Sequence, residues 1–495
     1  MKRKNKKTTP EITPEEALNQ SMRCFEPLLS AEEFRLLQDE VKRPLLPAIR
    51  INPLKAKTGA IESWQHRYVW QIESIPFCNN GYRVDDSRGT PVSQTPEHRL
   101  GYYYIQEAAS MLPPELFTFA AEEPGLTLDL AASPGGKTTH LVARGMDHGL
   151  VMANDSSQGR IPALRIVLQN WGAMNTAISQ FPGEKFGAWF SETFDRVLID
   201  APCSMQGLRV AESHDLRPVT EKESLQLAKR QTALLTSALQ AVKVGGEVVY
   251  STCTLLPEED EGVIDAVLRR FGKAVEVQRI PISLPAEMTG IVRYGELDYL
   301  PEVAGSLRLW PHRLHTAGFF ACLLRKTTSL DLPNTNPPSR PLERTGFEIV
   351  TNTKAIEQSL EGEYGFFLSD LLAEYNMTVM KRYEKLFLFP NRVLAQFASL
   401  PLESTGILLG EAMDGSVIPS HDLVVRFGDR FTKNITNLDE QQTATFARGE
   451  DLFDLAASGE NKGKTIVVRS ADGLVLGRGK LLKDRLKNLL PRRLV

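Results

Sequence analysis

The sequence predicts a doubly wound α/β fold, with a mostly parallel sheet, for the middle of the chain. Three observations lead to this prediction. Apolar strand-like runs alternate with helical stretches, one of these runs leads directly into glycines, and two later runs end close to cysteines. Alternating strands and helices form parallel sheets, which bind ligands at the carboxyl ends of their strands.

Length and composition limit the possible classes of protein. The 495 residues are too many for one core and predict about three domains. Apolar residues make up 42% and charged residues 24% of the chain, as in ordinary globular proteins. The basic opening MKRKNKKTTP is not followed by the apolar segment that a signal peptide requires. No apolar run reaches the roughly 18 residues of a membrane helix. We therefore expect a cytoplasmic protein without membrane contacts.

The five cysteines are scattered and include no Cys-x-x-Cys pair, so we expect free thiols and no metal site. The formal net charge of −3 does not argue against a polyanionic partner, because basic residues gather at both ends of the chain. These are the run from Lys2 to Lys7 and the terminal RGKLLKDRLKNLLPRRLV. Such clusters are typical of RNA contacts, although a flexible solubilising tail is the alternative.

The N-terminal segment reads as a small α/β module over residues 1–95. Two capping boxes, Thr13 with Glu16 and Ser30 with Glu33, predict helices. Short strands are predicted in PAIRINPL, RYVWQI and GYRV.

The predicted catalytic domain covers residues 96–326. Its strand candidates are LTLDLA, GLVMAND, NTAISQ, FDRVLIDAP and GEVVYSTC, and helices are expected around Thr138, around Leu164 and over 221–242. Two further apolar runs, SLRLWPH and GFFACLLR, lie close enough in sequence to pair antiparallel.

A proline-rich linker is predicted over 327–344, followed by a C-terminal region over 345–495. That region begins with a predicted helical segment around GFFLSDLLAEYNMTVMKRYEKLFLF. Shorter runs, namely TGILLGEAM, DLVVRF, KTIVVRS and GLVLGRGK, predict a small β-rich domain at the end of the chain.

The stretch DLAASPGGKTT resembles a phosphate-binding loop but has Ala131 where that loop requires its first glycine. A strand that leads through glycines into a helix binds an anionic or carboxylate-bearing ligand. Asp155 ends the next strand, where a carboxylate can accept from the hydroxyls of a ribose. A nucleoside cofactor with a small charged tail, such as S-adenosylmethionine, is therefore favoured over a triphosphate, which stays the alternative.

Cys203 and Cys253 both follow buried strands, where a doubly wound sheet places its site. A single free cysteine is commonly a small buried apolar residue, but two at strand ends favour chemistry. A soft thiolate can add to carbon 6 of a pyrimidine and make carbon 5 nucleophilic toward a methyl group. Asp200 is the candidate acid for ring nitrogen 3, provided that it carries or shares a proton.

These stretches resemble the RNA cytosine-5 methyltransferases of the Sun/NOL/NSUN group. The likeness extends over roughly Ile49 to Lys326 and includes DLAASPGGKTT, DAPCS, STCT and the flanking GYYYIQEAASMLP and WPHRLHTAGFFACLLRK. It implies a class I, Rossmann-like methyltransferase fold with an RNA-binding N-terminal module. It also implies that Cys253 is the nucleophile, that Cys203 assists product release and that Asp200 lies between cofactor and base. The implied cofactor-binding residues are Ala131, Ala132, Ser133, Pro134, Gly135, Gly136, Lys137, Asp155 and Asp200.

The C-terminal GLVLGRGKLLKDRLKNLLPRRLV is similar to the PUA-like tail of bacterial enzymes that methylate 16S ribosomal RNA. The resemblance therefore implies S-adenosylmethionine as cofactor and 16S ribosomal RNA or the small ribosomal subunit as partner. A transfer RNA methyltransferase and a non-catalytic RNA-binding or ribosome-assembly factor are the alternatives. Neither the target cytosine nor the oligomeric state follows from the sequence.

Two departures from the family pattern bear on the site. Met205 and Gln206 stand where the family usually has Gly-x before Gly207, which predicts a reshaped turn beside the base. Pro182 stands near the position of the usual adenine-contacting aspartate, and Gln180, Glu184 or a backbone carbonyl are the candidate substitutes.

Three weaker signals have simpler explanations. His312 and His315 lack further ligands for a metal and are interpreted as structural or RNA-facing. The PEEDEG stretch after Cys253 is interpreted as a helix start. Tyr102, Tyr103 and Tyr104 are candidates for base stacking, with packing expected for at least one of them.

Overall fold

The computed structural model describes residues 13–120, 125–208, 218–284, 288–413, 415–453, 455 and 463–494. The basic run from Lys2 to Lys7 lies outside the described residues. Within them, the strands form four sheets of four to nine strands and one two-stranded hairpin. None of the helices in the described part of the chain has the length and apolar content to cross a membrane.

The N-terminal module is a four-stranded antiparallel sheet preceded by two helices. Both predicted capping boxes are present, since the side chains of Thr13 and Ser30 accept from the backbone N–H groups of Glu16 and Glu33. The elements are α1 (Pro14–Arg23), α2 (Ala31–Glu40), β1 (Ala48–Ile51), α3 (Ala60–Tyr68), β2 (Gln71–Ser74), β3 (Gly81–Asp85), α4 (Pro96–Arg99) and β4 (Tyr103–Ile105).

The strand order in this sheet is β2-β3-β1-β4. The edge strand β4 pairs antiparallel with β1, so the sheet reaches ten residues past the expected boundary at residue 95 (105 − 95). The strand predicted in RYVWQI is wrong in its first half, because Arg67 and Tyr68 end α3 and β2 begins at Gln71.

The central sheet has nine strands in the order β18-β7-β6-β5-β8-β9-β14-β10, with β13 beside β14. Its elements within the predicted catalytic domain are α5 (Leu112–Glu115), β5 (Leu126–Asp129), α6 (Gly136–Arg144), β6 (Leu150–Asn154), α7 (Ile161–Trp171), β7 (Thr176–Ser179), α8 (Phe186–Trp189), β8 (Phe194–Asp200), α9 (Glu221–Ala241), β9 (Val242–Thr252), α10 (Glu261–Phe271), β10 (Val275–Val277), β11 (Arg293–Tyr294), β12 (Leu297–Asp298), β13 (Leu307–Leu309), α11 (Pro311–Leu314) and β14 (Phe319–Lys326).

Strands β7, β6, β5, β8 and β9 are parallel, which confirms the predicted doubly wound sheet. The chain leaves β5 toward β6 on one side and returns to β8 on the other side. This is the switch point at which such sheets bind ligands. The predicted antiparallel pairing of SLRLWPH with GFFACLLR is also confirmed, as β13 with β14.

The C-terminal region contains two smaller sheets, ordered β15-β16-β17-β19-β20 and β21-β22-β23-β24. Its elements are β15 (Glu348–Ile349), α12 (Lys354–Tyr364), α13 (Leu368–Tyr375), β16 (Met377–Arg382), β17 (Lys385–Pro390), α14 (Asn391–Gln396), β18 (Leu402–Thr405), β19 (Ile407–Met413), β20 (Ser416–Pro419), α15 (His421–Phe427), β21 (Ile435–Leu438), α16 (Glu440–Ala447), β22 (Thr465–Ser470), β23 (Val475–Leu481) and β24 (Leu486–Asn488).

Two predictions for this region are wrong. The helical segment ends at Asn376, whose φ of 53° terminates α13, and β16 and β17 follow as a hairpin. The strand-like run DLVVRF is the helix α15, capped by Ser420, whose hydroxyl accepts from the N–H of Leu423 at 3.0 Å. Six of the seven residues of α15 are buried, and a run buried on nearly every side has no clear helical period in sequence.

The C-terminal region packs against both other parts of the chain. Strand β18 pairs antiparallel with β7 and extends the central sheet. The linker lies along the catalytic domain, where the N–H of Thr335 donates to the carbonyl of Ala188 at 2.8 Å. The N–H of Val475 in β23 donates to the hydroxyl of Tyr102 at 3.2 Å. The three parts therefore form one packed body.

Arg308 is fully buried and compensates two buried carboxylates. Its Nε donates to Glu261 at 3.0 Å, and one terminal nitrogen lies 3.5 Å from Asp260. We expect Arg308→Leu to lower the unfolding free energy by about 3–5 kcal/mol, because two buried acids lose their cation. Arg325→Leu, which removes a guanidinium 45% exposed beside Glu247, should cost less than about 1 kcal/mol. Equal shifts of the two variants in urea denaturation would contradict this account.

Candidate active site

The predicted site residues lie at one edge of the central sheet. The loop of residues 131–137 follows β5, Asp155 follows β6, Asp200 ends β8 and Cys253 follows β9. A continuous cleft runs along this edge and is lined by Ala131, Ser133, Asp155, Asp200, Cys203 and Cys253, among others. Parallel pairing has therefore brought all four strand ends to one place.

Gly135 allows the loop to turn into α6. Its φ of 116° lies in a region that favours glycine, and a β-carbon there would come within 3.0–3.2 Å of Val167 and Leu164. Gly136 begins α6, and Ala132 is held by its N–H, which donates to the carbonyl of Asn154 at 2.7 Å. The loop thus adopts one tightly packed path into the helix.

Asp155 is almost fully buried and is held from both sides. One carboxylate oxygen accepts from the N–H of Ser133 at 3.2 Å, and the other accepts from the N–H of Ser157 at 2.9 Å. A guanidinium nitrogen of Arg160 lies 3.5 Å away. These contacts fix the carboxylate against the glycine loop, at the wall of the cleft.

Asp129 lies under the loop and is a site residue that was not predicted from the sequence. One oxygen accepts from the hydroxyl of Thr138 at 2.7 Å, whereas the other has no partner among the described residues. Burial raises the pKa of this carboxyl to about 7. The sequence signal that could have identified Asp129 is the position of an acid inside the apolar run LTLDLA.

Lys137 and Asp200 form an ion pair in the middle of the cleft. The Lys137 ammonium donates to Asp200 at 2.8 Å and to the hydroxyl of Ser110 at 2.9 Å. The hydroxyl of Ser251 donates to the other Asp200 oxygen at 3.1 Å. Burial opposes the charge on Lys137, but the Asp200 carboxylate outweighs it and raises the lysine pKa. The ammonium therefore stays charged and committed to Asp200.

The two half-buried cysteines of the cleft are in contact, with 3.2 Å between the sulfur atoms of Cys203 and Cys253. The hydrogen bond to Cys253, together with burial, raises the pKa of the Cys203 thiol well above its usual value. Cys203 therefore keeps its proton and can donate it to the sulfur of Cys253. This pair can present one thiolate and one thiol to the same ligand.

The acidic stretch after Cys253 begins a helix, as interpreted from sequence, and it also holds the Cys203 loop. Helix α10 begins at Glu261. A carboxylate oxygen of Glu259 accepts from the N–H of Ser204 at 3.0 Å and from the side-chain amide of Gln231 at 2.8 Å. The hydroxyls of Ser204 and Thr254 are 3.0 Å apart. The two cysteine-bearing loops are therefore tied together.

Arg50 connects the N-terminal module to the glycine loop, and no sequence signal marked it. Its side chain is 1% exposed and donates to the carbonyl of Gly136 at 2.9 Å and to the hydroxyl of Thr139 at 2.7 Å. The guanidinium lies 4.5 Å from the centre of the Trp171 ring. Strand β1 thus supports the first turn of α6 from below.

The weaker sequence signals have structural roles. His315 lies 3.1 Å from Glu40, and Arg313 lies 2.5 Å from Glu33, so α11 docks against α2. Tyr102 and Tyr103 are buried, whereas Tyr104 is partly exposed in the cleft near Gly136.

The candidates near Pro182 are engaged elsewhere. The amide of Gln180 donates to the carbonyl of Ser156 at 3.1 Å, and Glu184 lies 3.2 Å from Arg230. Gly183 lines the cleft.

A doubly wound sheet that carries a glycine loop, a buried acid and two adjacent thiols along one edge has the arrangement of a class I methyltransferase. Comparison with known families agrees with this class. Residues 116–325 match the family described as 16S rRNA methyltransferase RsmB/F. Residues 19–108 match the N-terminal domain of 16S rRNA methyltransferase RsmF, and 433–495 match the methyltransferase RsmF PUA domain.

Relatives are similar over almost the whole chain. The ribosomal RNA small subunit methyltransferase F of Aeromonas hydrophila is 33% identical over 475 residues, 94% of each chain. The enzyme of the same name from Vibrio vulnificus is 30% identical over 92% of each chain. The chain therefore belongs to the ribosomal RNA small subunit methyltransferase F family.

Solved structures share the fold. A methyltransferase homologue from Pyrococcus horikoshii has a TM-score of 0.53 at 28% identity and covers 64% of this chain and 100% of its own. NSun6 from Pyrococcus horikoshii has a TM-score of 0.52 at 20% identity over 63% of this chain and 98% of its own.

Replacing Arg50 tests its support of the glycine loop. Arg50→Lys keeps the charge but loses the planar stacking on Trp171 and part of the hydrogen bonding. We expect S-adenosylmethionine affinity, measured by calorimetry, to fall about tenfold, as for the loss of one charged hydrogen bond. Arg83→Lys, a buried arginine of β3 whose guanidinium donates to the carbonyl of Leu314, is the matched control and should leave the affinity unchanged. Equal S-adenosylmethionine affinity in the two variants would show that Arg50 does not support the glycine loop.

Proposed function

We propose that the chain transfers a methyl group from S-adenosylmethionine to carbon 5 of a cytosine in 16S ribosomal RNA. The observation that carries the proposal is the contact of two thiols, 3.2 Å apart, beside a glycine loop and the Lys137–Asp200 pair. Methylation at carbon 5 uses both thiols, whereas transfer to a nitrogen or oxygen atom would leave them idle.

The chemistry of the cleft fits S-adenosylmethionine better than a triphosphate. Asp129, Asp155 and Asp200 contribute three carboxyl groups to the cleft and its floor, and Asp129 has an oxygen without a described partner. Carboxylates suit the ammonium group and ribose hydroxyls of S-adenosylmethionine and repel phosphates. The ammonium of Lys137, which a triphosphate would need, is committed to Asp200.

We assign the loop from Ala131 to Gly136 and Lys137 to the methionine end of the cofactor, and Asp155 to its ribose. Asp200 is assigned to the boundary between cofactor and base. When bound, S-adenosylmethionine supplies an electrophilic methyl group on a positively charged sulfur.

Cys253 is the proposed nucleophile. Its thiolate adds to carbon 6 of the cytosine, so that a carbon–sulfur bond forms and the π electrons of the 5,6 double bond move toward carbon 5. Cys203 supports the thiolate, since its thiol remains protonated and can donate to the neighbouring sulfur.

Asp200 is the proposed partner of ring nitrogen 3. Its two oxygens already accept from Lys137 and Ser251, which fixes their direction. A proton shared between Asp200 and nitrogen 3 would withdraw charge from the ring as carbon 6 is attacked.

Cys203 is the proposed base for release. Once the Cys253 sulfur is bonded to carbon 6, its negative charge is gone and no longer holds the proton on Cys203. Cys203 can then lose its proton to solvent, and its thiolate can remove the hydrogen from carbon 5. The carbon–hydrogen electrons restore the double bond, and the Cys253 thiolate leaves.

RNA is the proposed partner, and the C-terminal sheet offers a surface for it. Lys480 and Lys487 are directly opposite each other on β23 and β24, and both are exposed. Like charges opposite each other destabilise a sheet, and a phosphate backbone would offset this cost. The names of the relatives support the RNA of the small ribosomal subunit as this partner. We expect the reaction in the cytoplasm.

Bisulfite sequencing of ribosomal and transfer RNA, from cells with and without the gene, tests the proposal. A cytosine of 16S ribosomal RNA should resist deamination only when the gene is present. A gene-dependent position in transfer RNA would indicate that transfer RNA is the substrate instead. Identical maps with and without the gene would favour a non-catalytic assembly factor.

Two cysteine variants test the roles of the thiols. Cys253→Ala should lower methylation by at least roughly a thousandfold while cofactor binding persists. Cys203→Ala should stall as a covalent complex with RNA that survives denaturing gel electrophoresis. Cys24→Ala, at the half-buried cysteine that ends α1, serves as the control and should match the wild type. Full activity of Cys253→Ala would reject the mechanism.

A further inference from the structure

The turn after Cys203 carries an apolar side chain into the cleft. Met205 lines the same cleft as Cys203, Cys253 and Asp155, and its side chain is 42% exposed. An exposed methionine beside two thiols has no role in the reaction described above. Contact with a ligand would remove this apolar surface from water.

Met205 adopts a backbone conformation that a bulky residue rarely takes. Its φ is 59°, in the left-handed region that favours glycine. The turn predicted to be reshaped by the absence of glycine has thus kept a positive φ with a methionine in place. Unusual backbone conformations that persist in this way cluster at functional sites.

The rest of the turn is pinned, which explains how Met205 is held. The N–H of Gly318 donates to the carbonyl of Gly207 at 2.8 Å, and the N–H of Leu255 donates to the carbonyl of Gln206 at 3.3 Å. A β-carbon on Gly207 would lie 2.8 Å from the carbonyl oxygen of Cys253. The turn therefore cannot move away from the Cys253 loop.

The backbone and the side chain of Met205 face different groups. Its backbone lies beside Cys203 and partly counteracts the rise in the pKa of that thiol. Its side chain lines the cleft, where a pyrimidine attacked by Cys253 must enter. A thioether is polarizable and packs well against aromatic rings.

We propose that the Met205 side chain forms a wall of the pocket for the target base and packs against the ring of the flipped cytosine. This inference rests on the proposed function and adds a substrate-contacting residue to it. The wall limits how the ring can tilt while the Cys253 sulfur reaches carbon 6.

Three substitutions distinguish a contact of the Met205 side chain with the base from an effect of the Met205 backbone on the turn. Met205→Ala removes the wall and keeps a side chain in the left-handed region, whereas Met205→Gly removes the wall and relieves the backbone. Met205→Leu keeps an apolar side chain of similar size. Met146, which is 47% exposed with a φ of 47° just after α6, offers a matched control in Met146→Ala.

The measurement is steady-state methylation of 30S subunits purified from cells that lack the gene, with cofactor affinity measured in parallel. We expect Met205→Ala and Met205→Gly each to raise KM for the subunits about tenfold, as for a lost apolar contact in a pocket. Their kcat, thermal midpoint and cofactor affinity should change little. Met205→Leu should recover most of the lost kcat/KM, and Met146→Ala should match the wild type.

If Met205 only completes the turn, Met205→Gly will be at least as active as the wild type, and this outcome would overturn the inference. A fall in kcat alone, with KM unchanged, would also overturn it, because it would indicate an effect through Cys203. If the wild type methylates neither 30S subunits nor free 16S ribosomal RNA from these cells, the proposed function fails instead.

Discussion

Parallel pairing of β8 with β9 sets the distance between the two sulfur atoms. In this register Asp200 lies opposite Ser251, so that Cys203 and Cys253 follow their strands by nearly equal lengths of chain. A slip of two residues would move one thiol by about 6.6 Å and separate the sulfurs. The Lys137–Asp200 pair depends on the same register, since the hydroxyl of Ser251 holds the second Asp200 oxygen. The positions of the reactive groups at this edge therefore depend on the backbone hydrogen bonds between β8 and β9.

Buried acids surround the site, and two of them are matched to particular donors. Glu259 accepts from the backbone of the Cys203 loop, and Glu261 is neutralised by Arg308. Asp129 instead has a carboxyl whose pKa burial raises to about 7, beneath the glycine loop. Glu259 and Glu261 hold loops in place, whereas the raised pKa of Asp129 makes its charge sensitive to a cationic ligand.

The sequence predicted those features that depend on local pattern. Glycines, apolar runs and cysteines at strand ends located the parallel sheet, Asp155 and the two thiols. The contributions of Arg50 and Glu259 could not be predicted, because each depends on a contact between segments distant in the chain. The segment after Asn376 was misread because its apolar residues suit a helix as well as a hairpin. Burial of six of the seven residues of α15 likewise removed most of the polar face that marks a helix.

Strand β18 makes the catalytic sheet a joint product of two parts of the chain. It covers the outer edge of β7, whose N–H and C=O groups would otherwise invite pairing with another molecule. The C-terminal region thus contributes a strand to the catalytic sheet and is not structurally independent of the catalytic domain. A shortened protein that ends in the linker would expose an open strand edge, with self-association as the consequence. The sheet of β21 to β24, by contrast, lies beyond Thr405, where the shared sheet is already complete.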